Sequence, residues 1–218
     1  IKVPEALPEV MKEWTKEAIR AQPADLRGEC RGVAGYRLDR GERRQRGQGD
    51  LGLGTLNRLD GEMIAIDGQF FRADVNGDLN VIAPEQKTPF AVVSRFSAEK
   101  DFTVAGQLDL AALEALLDED RPVAPVAVFR IDGHFRSVRA RSVPKQKPPY
   151  RPLSEVVADQ NVFDLGPVDG TLVGFRFPVW AEGVEIGGYH FHFADRARKR
   201  GGHVLDLEIE SGLVSVQH

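Results

Sequence analysis

Three histidines near the end of the chain have the types and spacing of a metal site: His190, His192 and His203. Residues two apart on a β-strand project from the same face, so His190 and His192 are expected to lie side by side. Gly201-Gly202 is expected to allow a tight return, after which a second strand brings His203 beside the pair. Three neutral imidazoles that converge in an apolar setting are typical of a zinc-type site with an open coordination position.

The alternation of the second strand predicts that His203 points inward. One face carries His203, Leu205, Leu207 and Ile209, and the other carries Val204, Asp206, Glu208 and Glu210. The competing interpretation is a hydrogen-bonded histidine of the core, but a His-x-His pair followed by an inward histidine favours a metal site. Histidine ligands suit zinc, iron, copper or nickel, so the spacing alone does not select the metal. We predict zinc, with another divalent transition metal as the alternative.

Short strands must position these histidines. Apolar runs separated by turn dipeptides predict hairpins at Asp67-Gly68, Asn76-Gly77 and Asp132-Gly133. The predicted strands are Met63–Ala65, Phe70–Phe71, Val81–Ile82, Phe90–Phe96, Val126–Ile131, Phe135–Ala140, Leu172–Phe177, Glu185–Ala194 and His203–Ile209.

Helices are fewer. They are predicted at Pro8–Ala21, at Leu108–Leu117 with Asp109 as its cap, and at Leu153–Asp159. The class is therefore α+β and mostly β. The Pro-rich stretch from Pro144 to Pro152 suggests a boundary between an N-terminal domain (1–143) and a C-terminal domain (144–218) that carries the histidines. Residues 23–50 are Arg/Gly-rich and are interpreted as an irregular solvated segment, the alternative being an RNA-binding tract.

Composition limits the function classes. The 218 residues are 42% hydrophobic, which is enough for a core and excludes disorder of the whole chain. The 29 basic and 33 acidic residues give a net charge of −4, which disfavours nucleic-acid binding. The single cysteine, Cys30, excludes an intramolecular disulfide and a Cys-rich zinc module. No apolar run reaches the roughly 18 residues of a membrane span. No signal peptide is recognisable, so a cytoplasmic protein is expected, with secretion as the alternative.

Six sequence blocks resemble the bacterial acetolactate decarboxylases, metal-dependent enzymes that convert 2-acetolactate to acetoin and carbon dioxide. Their order along the chain is that of the family, and together they extend over roughly three quarters of it. The blocks are Gly49–Met63, Gln86–Val93, Ala140–Leu153, Gly170–Pro178, Gly188–Phe193 and Gly201–Asp206.

The resemblance implies a role for each site residue. The family's metal triad falls on the three histidines already selected by their spacing. Its essential acid falls on Glu62, which would handle the proton, and its essential arginine falls on Arg141, which would orient the substrate and stabilise charge. Thr55 matches a position that lines the substrate pocket. The implied activity is that of a carbon–carbon lyase in acetoin and butanediol biosynthesis.

The resemblance also implies a fold and an assembly. Two β-sheet domains with a few helices would hold the metal in the cleft between them, in a homodimer whose sheets join. Family members continue beyond the position that matches His218 and supply a second glutamate near the metal from that tail. Glu208 and Glu210 are not expected to replace it, because alternation places them opposite His203.

Two other functions stay open at this point. One is a catalytically impaired or non-catalytic member of the same fold. The other is a cupin-like metal oxygenase, which normally has a carboxylate ligand a few residues beyond the His-x-His pair, whereas no glutamate lies between His192 and His203.

Overall fold

Two antiparallel β-sheets make up most of the computed structural model, which describes residues 49–83, 86, 88, 90–119, 126–149, 153–177 and 188–218. The predicted helix Pro8–Ala21 and nearly all of the 23–50 segment lie outside the described residues. Within the described residues, no helix is long and apolar enough to cross a membrane.

The smaller sheet has the strand order β4-β3-β2-β1-β5. Its strands are β1 (Leu51–Thr55), β2 (Glu62–Ile66), β3 (Gln69–Ala73), β4 (Leu79–Val81) and β5 (Phe90–Ser94). Two of the predicted hairpins are confirmed here. Asp67 and Gly68 form the turn that connects β2 to β3, with φ of 54° and 74°. Gly77, with φ of 81°, lies in the turn that connects β3 to β4. A single 3-10 turn, Asn57–Leu59, follows β1.

The larger sheet has the order β6-β11-β10-β9-β7-β8, and β11 also pairs with β7. Strands β7, β9, β10 and β11 therefore close into a ring with an apolar interior. The six strands are β6 (Lys100–Asp109), β7 (Ala127–Ser142), β8 (Asn161–Leu165), β9 (Val168–Phe177), β10 (Gly188–Asp195) and β11 (Gly201–Gln217). The interior contains Phe129, Ile131, Phe135, Leu172, Phe191, Phe193, Leu207 and Ile209.

The described helices are short and most of the described elements are strands in two sheets, which confirms the predicted mostly β fold. Helix α1 (Leu110–Glu119) is capped as predicted, because the Ala112 amide donates to Asp109 Oδ1 at 2.8 Å. It begins two residues later than predicted, because β6, which was not predicted, continues to Asp109. Helix α2 (Leu153–Val156) continues as a 3-10 turn, Val157–Asp159, which matches the predicted short helix.

The predicted hairpin at Asp132-Gly133 is wrong, because both residues lie inside the continuous strand β7. Gly133 stands between Gly170 of β9 and Gly212 of β11. A Cβ at Gly133 would lie 2.5 Å from the Ser211 carbonyl oxygen. The glycine therefore permits a close approach of strands rather than a turn.

The predicted return at Gly201-Gly202 is also wrong, although the two strands do run side by side as predicted. Both glycines belong to β11, and a Cβ at Gly201 would collide with the Phe193 carbonyl oxygen. The connection between the strands is made just before them, where Asp195 Oδ1 accepts hydrogen bonds from the amides of Lys199 (2.6 Å) and Arg200 (3.1 Å).

A β-bulge in β11 overturns the predicted alternation. Val204 pairs with Ala140 and Asp206 with Arg139, so Leu205 is an extra residue. Leu207 and Ile209 consequently share the inner face with Val204, while His203 lies on the outer face and Leu205 is 37% exposed. The bulge, rather than simple alternation, therefore separates the face of His203 from that of Leu207 and Ile209.

The chain passes from the smaller to the larger sheet between Ser94 and Lys100. Strands β6 and β7 both belong to the larger sheet. The predicted division assigns them to the domain 1–143. The change of sheet therefore does not coincide with the predicted boundary at 143/144. The two sheets pack through an apolar layer that includes Leu53 and Ile64 from one and Val173 and Phe175 from the other.

Candidate metal centre

The three histidines meet on the outer face of the ring, where the smaller sheet covers it. On β10, His190 and His192 alternate with Phe191 and Phe193, which point into the ring interior. His203 is the direct cross-strand partner of His192. His190 is 7% exposed and His192 is fully buried. Strand pairing therefore brings together all three ligands predicted from the sequence.

The ring nitrogens are spaced as ligands of one metal ion. His203 Nδ1 lies 3.0 Å from His190 Nε2 and 3.3 Å from His192 Nε2, and the three ligand atoms all lie within 4.8 Å of one another. Metal–nitrogen bonds of about 2.0–2.1 Å at tetrahedral angles would place neighbouring nitrogens about 3.3–3.4 Å apart. The cluster could therefore bind a metal ion.

A main-chain contact fixes the tautomer of His192. Its Nδ1 lies 2.9 Å from the Met63 carbonyl oxygen, which only accepts hydrogen bonds, so Nδ1 carries the proton. The Nε2 lone pair is then directed at the cluster, as metal ligation requires. This contact also joins β10 to β2, across the two sheets.

Burial keeps the three imidazoles neutral. It lowers the pKa of His190 to about 4, with Arg141 adding to the effect. The pKa of His192 lies well below its usual value because of burial and the neighbouring rings of His190 and His203. The pKa of His203 is lowered by burial, by Arg141 and by His190. Neutral imidazoles are the form that binds metal.

Glu62 and Arg141 lie beside the cluster and contact each other. Glu62 is the first residue of β2 and is 5% exposed, and Arg141 is the cross-strand partner of His203 on β7. Arg141 Nη1 donates to Glu62 Oε1 at 3.1 Å, and Glu62 Oε2 lies 3.7 Å from His192 Nε2. Burial raises the pKa of Glu62 to about 7 although Arg141 lowers it. A carboxyl that can gain or lose a proton near neutral pH and a fixed cation therefore both border the histidine cluster.

Thr55 lies directly opposite Glu62 in the pairing of β1 with β2. Its Oγ1 donates a hydrogen bond of 2.7 Å to the Gly61 carbonyl oxygen, just before Glu62. The structure therefore brings Thr55 next to Glu62, where its observed hydrogen bond holds the turn that precedes the acid.

Glu208 and Glu210 lie away from the cluster, but not for the predicted reason. The bulge at Leu205 puts Glu208 on the same face as His203, five residues along the strand, or roughly 15 Å away. Glu208 and Glu210 instead pair with Arg136 at 3.6 and 3.9 Å.

The sequence did not indicate two further groups of the site. The Met63 carbonyl oxygen is a main-chain atom, which no residue type can signal. The ion pair of Asp60 and Lys145, at 2.6 Å, joins the turn before Glu62 to the segment after Arg141. Both residues fall in blocks already noted, yet nothing in their spacing shows that they meet.

Comparisons with known proteins agree with this site. The profile of the family described as alpha-acetolactate decarboxylase matches residues 40–218. The alpha-acetolactate decarboxylase of Methanosarcina mazei is 44% identical over 75% of this chain and 57% of its own length. That of Methylococcus capsulatus is 43% identical over 77% of this chain and 65% of its own.

A solved structure extends the similarity to the fold. The crystal structure of alpha-acetolactate decarboxylase from Bacillus subtilis matches with a TM-score of 0.76 and 35% identity, over 78% of this chain and 73% of that one. The chain spans 57–65% of the length of the two relatives named above. Because the family profile covers most of the chain and the match includes all six blocks, this chain belongs to the alpha-acetolactate decarboxylase family.

Proposed function

We propose that this protein catalyses the metal-dependent decarboxylation of 2-acetolactate to acetoin and carbon dioxide. The observation that carries the proposal is the arrangement of three neutral histidines, two of them buried and His203 partly buried, beside a contacting acid and arginine. The names of its relatives support the choice of substrate.

His190, His192 and His203 would hold the metal ion, and zinc is the ion proposed. A divalent ion there would supply Lewis-acid stabilisation of negative charge that develops on substrate oxygens. Three protein ligands would leave positions open for those oxygens, as in catalytic zinc sites.

Arg141 is proposed to orient the substrate. Its guanidinium is permanently charged and presents a two-pronged set of donors that matches a carboxylate. Its side chain is 14% exposed, so a carboxylate bound there would be shielded from water. The same charge would stabilise the oxyanion that remains after carbon dioxide leaves.

Glu62 is proposed to supply the proton. Loss of carbon dioxide leaves an electron pair that must be protonated at carbon to give acetoin. The carboxyl of Glu62, with a pKa of about 7, can donate that proton near neutral pH and regain one from solvent, whereas a guanidinium cannot. Thr55, next to Glu62, is proposed to line the substrate pocket.

Acetoin release from 2-acetolactate, measured with and without added zinc, tests the proposed function. The expected result is turnover that a chelator abolishes and zinc restores, with one zinc per chain by elemental analysis. The matched variant is His192→Ala, which should lose both zinc and turnover, while His134→Ala should keep both because His134 pairs with Asp169 outside the cluster. Zinc binding without turnover would favour a non-catalytic member of the family. Oxygen consumption without acetoin would favour a metal oxygenase.

We also propose that the chain forms a homodimer through its smaller sheet. Within the described residues, the edge strand β5 pairs on one side, with β1, and an unpaired strand edge favours association. Light scattering at tens of micromolar should give about twice the chain mass of 24.1 kDa, and the mass of one chain would contradict the proposal.

A further inference from the structure

The turn between β1 and β2 is tied to the segment that follows β7 by an ion pair between Asp60 and Lys145. We propose that Lys145, through Asp60, is a positioning residue that holds Glu62 against Arg141. The inference rests on the proposed function, in which these two side chains act together on one substrate.

The turn before Glu62 has a backbone that its own sequence does not favour. Arg58 and Leu59 have φ of 67° and 54°, and Gly61 has φ of 82°. Left-handed backbone is unfavourable for residues with a Cβ, and it persists only where the surroundings hold it. Asp60 and Glu62 therefore depend on contacts from outside the turn.

Three contacts with the segment after β7 supply that support. Lys145 Nζ donates to Asp60 Oδ2 at 2.6 Å, and the Gln146 amide donates to the Arg58 carbonyl oxygen at 2.7 Å. The Leu59 side chain packs in a small apolar cluster with Val143 and Val156. Each contact joins a residue just before Glu62 to the region just after Arg141.

Asp60 has two cationic partners with different consequences. Arg72, on β3 of the same sheet as Glu62, donates to Asp60 Oδ1 at 3.1 Å. Lys145 follows β7 of the larger sheet, which carries Arg141. Removing Lys145 would leave in place the Arg72 contact and the other two contacts with the segment after β7, but Asp60 itself would lose its ion pair to that segment. The Lys145 side chain is 51% exposed, and exposed ion pairs contribute little to stability. Geometry of the site, rather than folding, should therefore be affected.

The test is the variant Lys145→Met, which keeps the aliphatic stem and removes the charge. We expect kcat for acetoin formation to fall by about ten- to a hundredfold, because small displacements of catalytic groups have effects of that size. KM, zinc content and the melting temperature should stay near those of the parent protein. Lys145→Arg should restore most of the lost kcat, since it can still pair with Asp60. The matched control Lys199→Met removes an exposed charge in the turn before β11 and should change none of these quantities.

Hydrogen exchange gives a readout that needs no activity. Amides of the 57–62 segment should exchange faster in Lys145→Met, while those of β10 should not change. Normal kcat in an active Lys145→Met protein would overturn the inference. If the parent protein makes no acetoin, the proposed function fails separately. In that case faster exchange confined to the 57–62 segment would support the positioning contact, and unchanged exchange would overturn it.

Discussion

Glu62 and Arg141 contact each other, but they are chemically suited to different tasks. The acid is buried in the layer between the sheets, so it can lose and regain a proton near neutral pH, whereas the arginine keeps its charge throughout. Glu62→Gln removes the titratable proton and keeps the size of the side chain. We expect it to retain zinc and to lose turnover by about a hundred- to ten-thousandfold, the usual effect of a lost general acid. Acetoin release and zinc content measured on the same preparation check this.

Two companion variants make that result specific. Arg141→Lys keeps the charge but not the two-pronged donor set, and its turnover should also fall. Glu119→Gln, the same chemical change at an exposed residue at the end of α1, should behave like the parent protein. Near-normal turnover in Glu62→Gln with full zinc content would show that the proton comes from another group.

The histidine cluster is the part of the candidate site that the sequence predicted best. The histidine ligands could be selected because a His-x-His spacing on a strand determines a shared face, and their convergence is confirmed. The acceptor that fixes the tautomer of His192 could not be predicted, since it is the backbone oxygen of Met63 from a distant strand. Long-range contacts between unlike residues, such as Asp60 with Lys145, leave no local pattern to read.

At the level of elements, irregular strands explain where the prediction of the fold failed. An Asp-Gly dipeptide predicts a turn where the chain is free to reverse its direction. This prediction is confirmed at Asp67-Gly68. At Asp132-Gly133 the same dipeptide lies between two partner strands, whose pairing outweighs the local preference for a turn. The strict alternation assumed for β11 fails because one residue, Leu205, is inserted relative to β7. Bulges depend on the partner strand, so one strand's sequence does not reveal them.

The bulge at Leu205 can be tested by deleting the residue. In a strand without the extra residue, His203, Val204, Asp206 and Leu207 follow one another in simple alternation. His203 would therefore stay on the face opposite Leu207 and Ile209, which occupy the ring interior. We expect the deletion to leave zinc affinity close to that of the parent protein, as measured by competition with a chelating dye. Leu205→Ala keeps the bulge and truncates a side chain that is 37% exposed, so it should bind zinc normally. Loss of zinc affinity in the deletion variant alone would contradict this account, because removing one residue from a strictly alternating strand would turn His203 to the other face.

At the scale of the whole molecule, the residues of the proposed site come from both sheets. All three histidines and Arg141 belong to the larger sheet, whereas Glu62 belongs to the smaller one. The apolar layer between the sheets, which includes Leu53 and Val173, therefore sets the distance from Glu62 to the three histidines. Residue patterns indicated both sheets, but the docking of one on the other follows from packing that no local pattern records.

Leu53→Ala tests whether packing between the sheets positions Glu62 relative to the histidines. Leu53 is fully buried in the layer between the sheets, so its truncation should lower the free energy of unfolding by about 2–5 kcal/mol. Zinc content should be retained, because the three proposed metal ligands lie on the larger sheet, but turnover should fall because the packing that positions Glu62 is loosened. Urea unfolding followed by circular dichroism, elemental analysis and acetoin release measure the three quantities. Val81→Ala, on the same sheet but 74% exposed, should leave all of them within error of the parent protein. Loss of zinc from Leu53→Ala in parallel with turnover would show instead that the smaller sheet is needed to hold the metal.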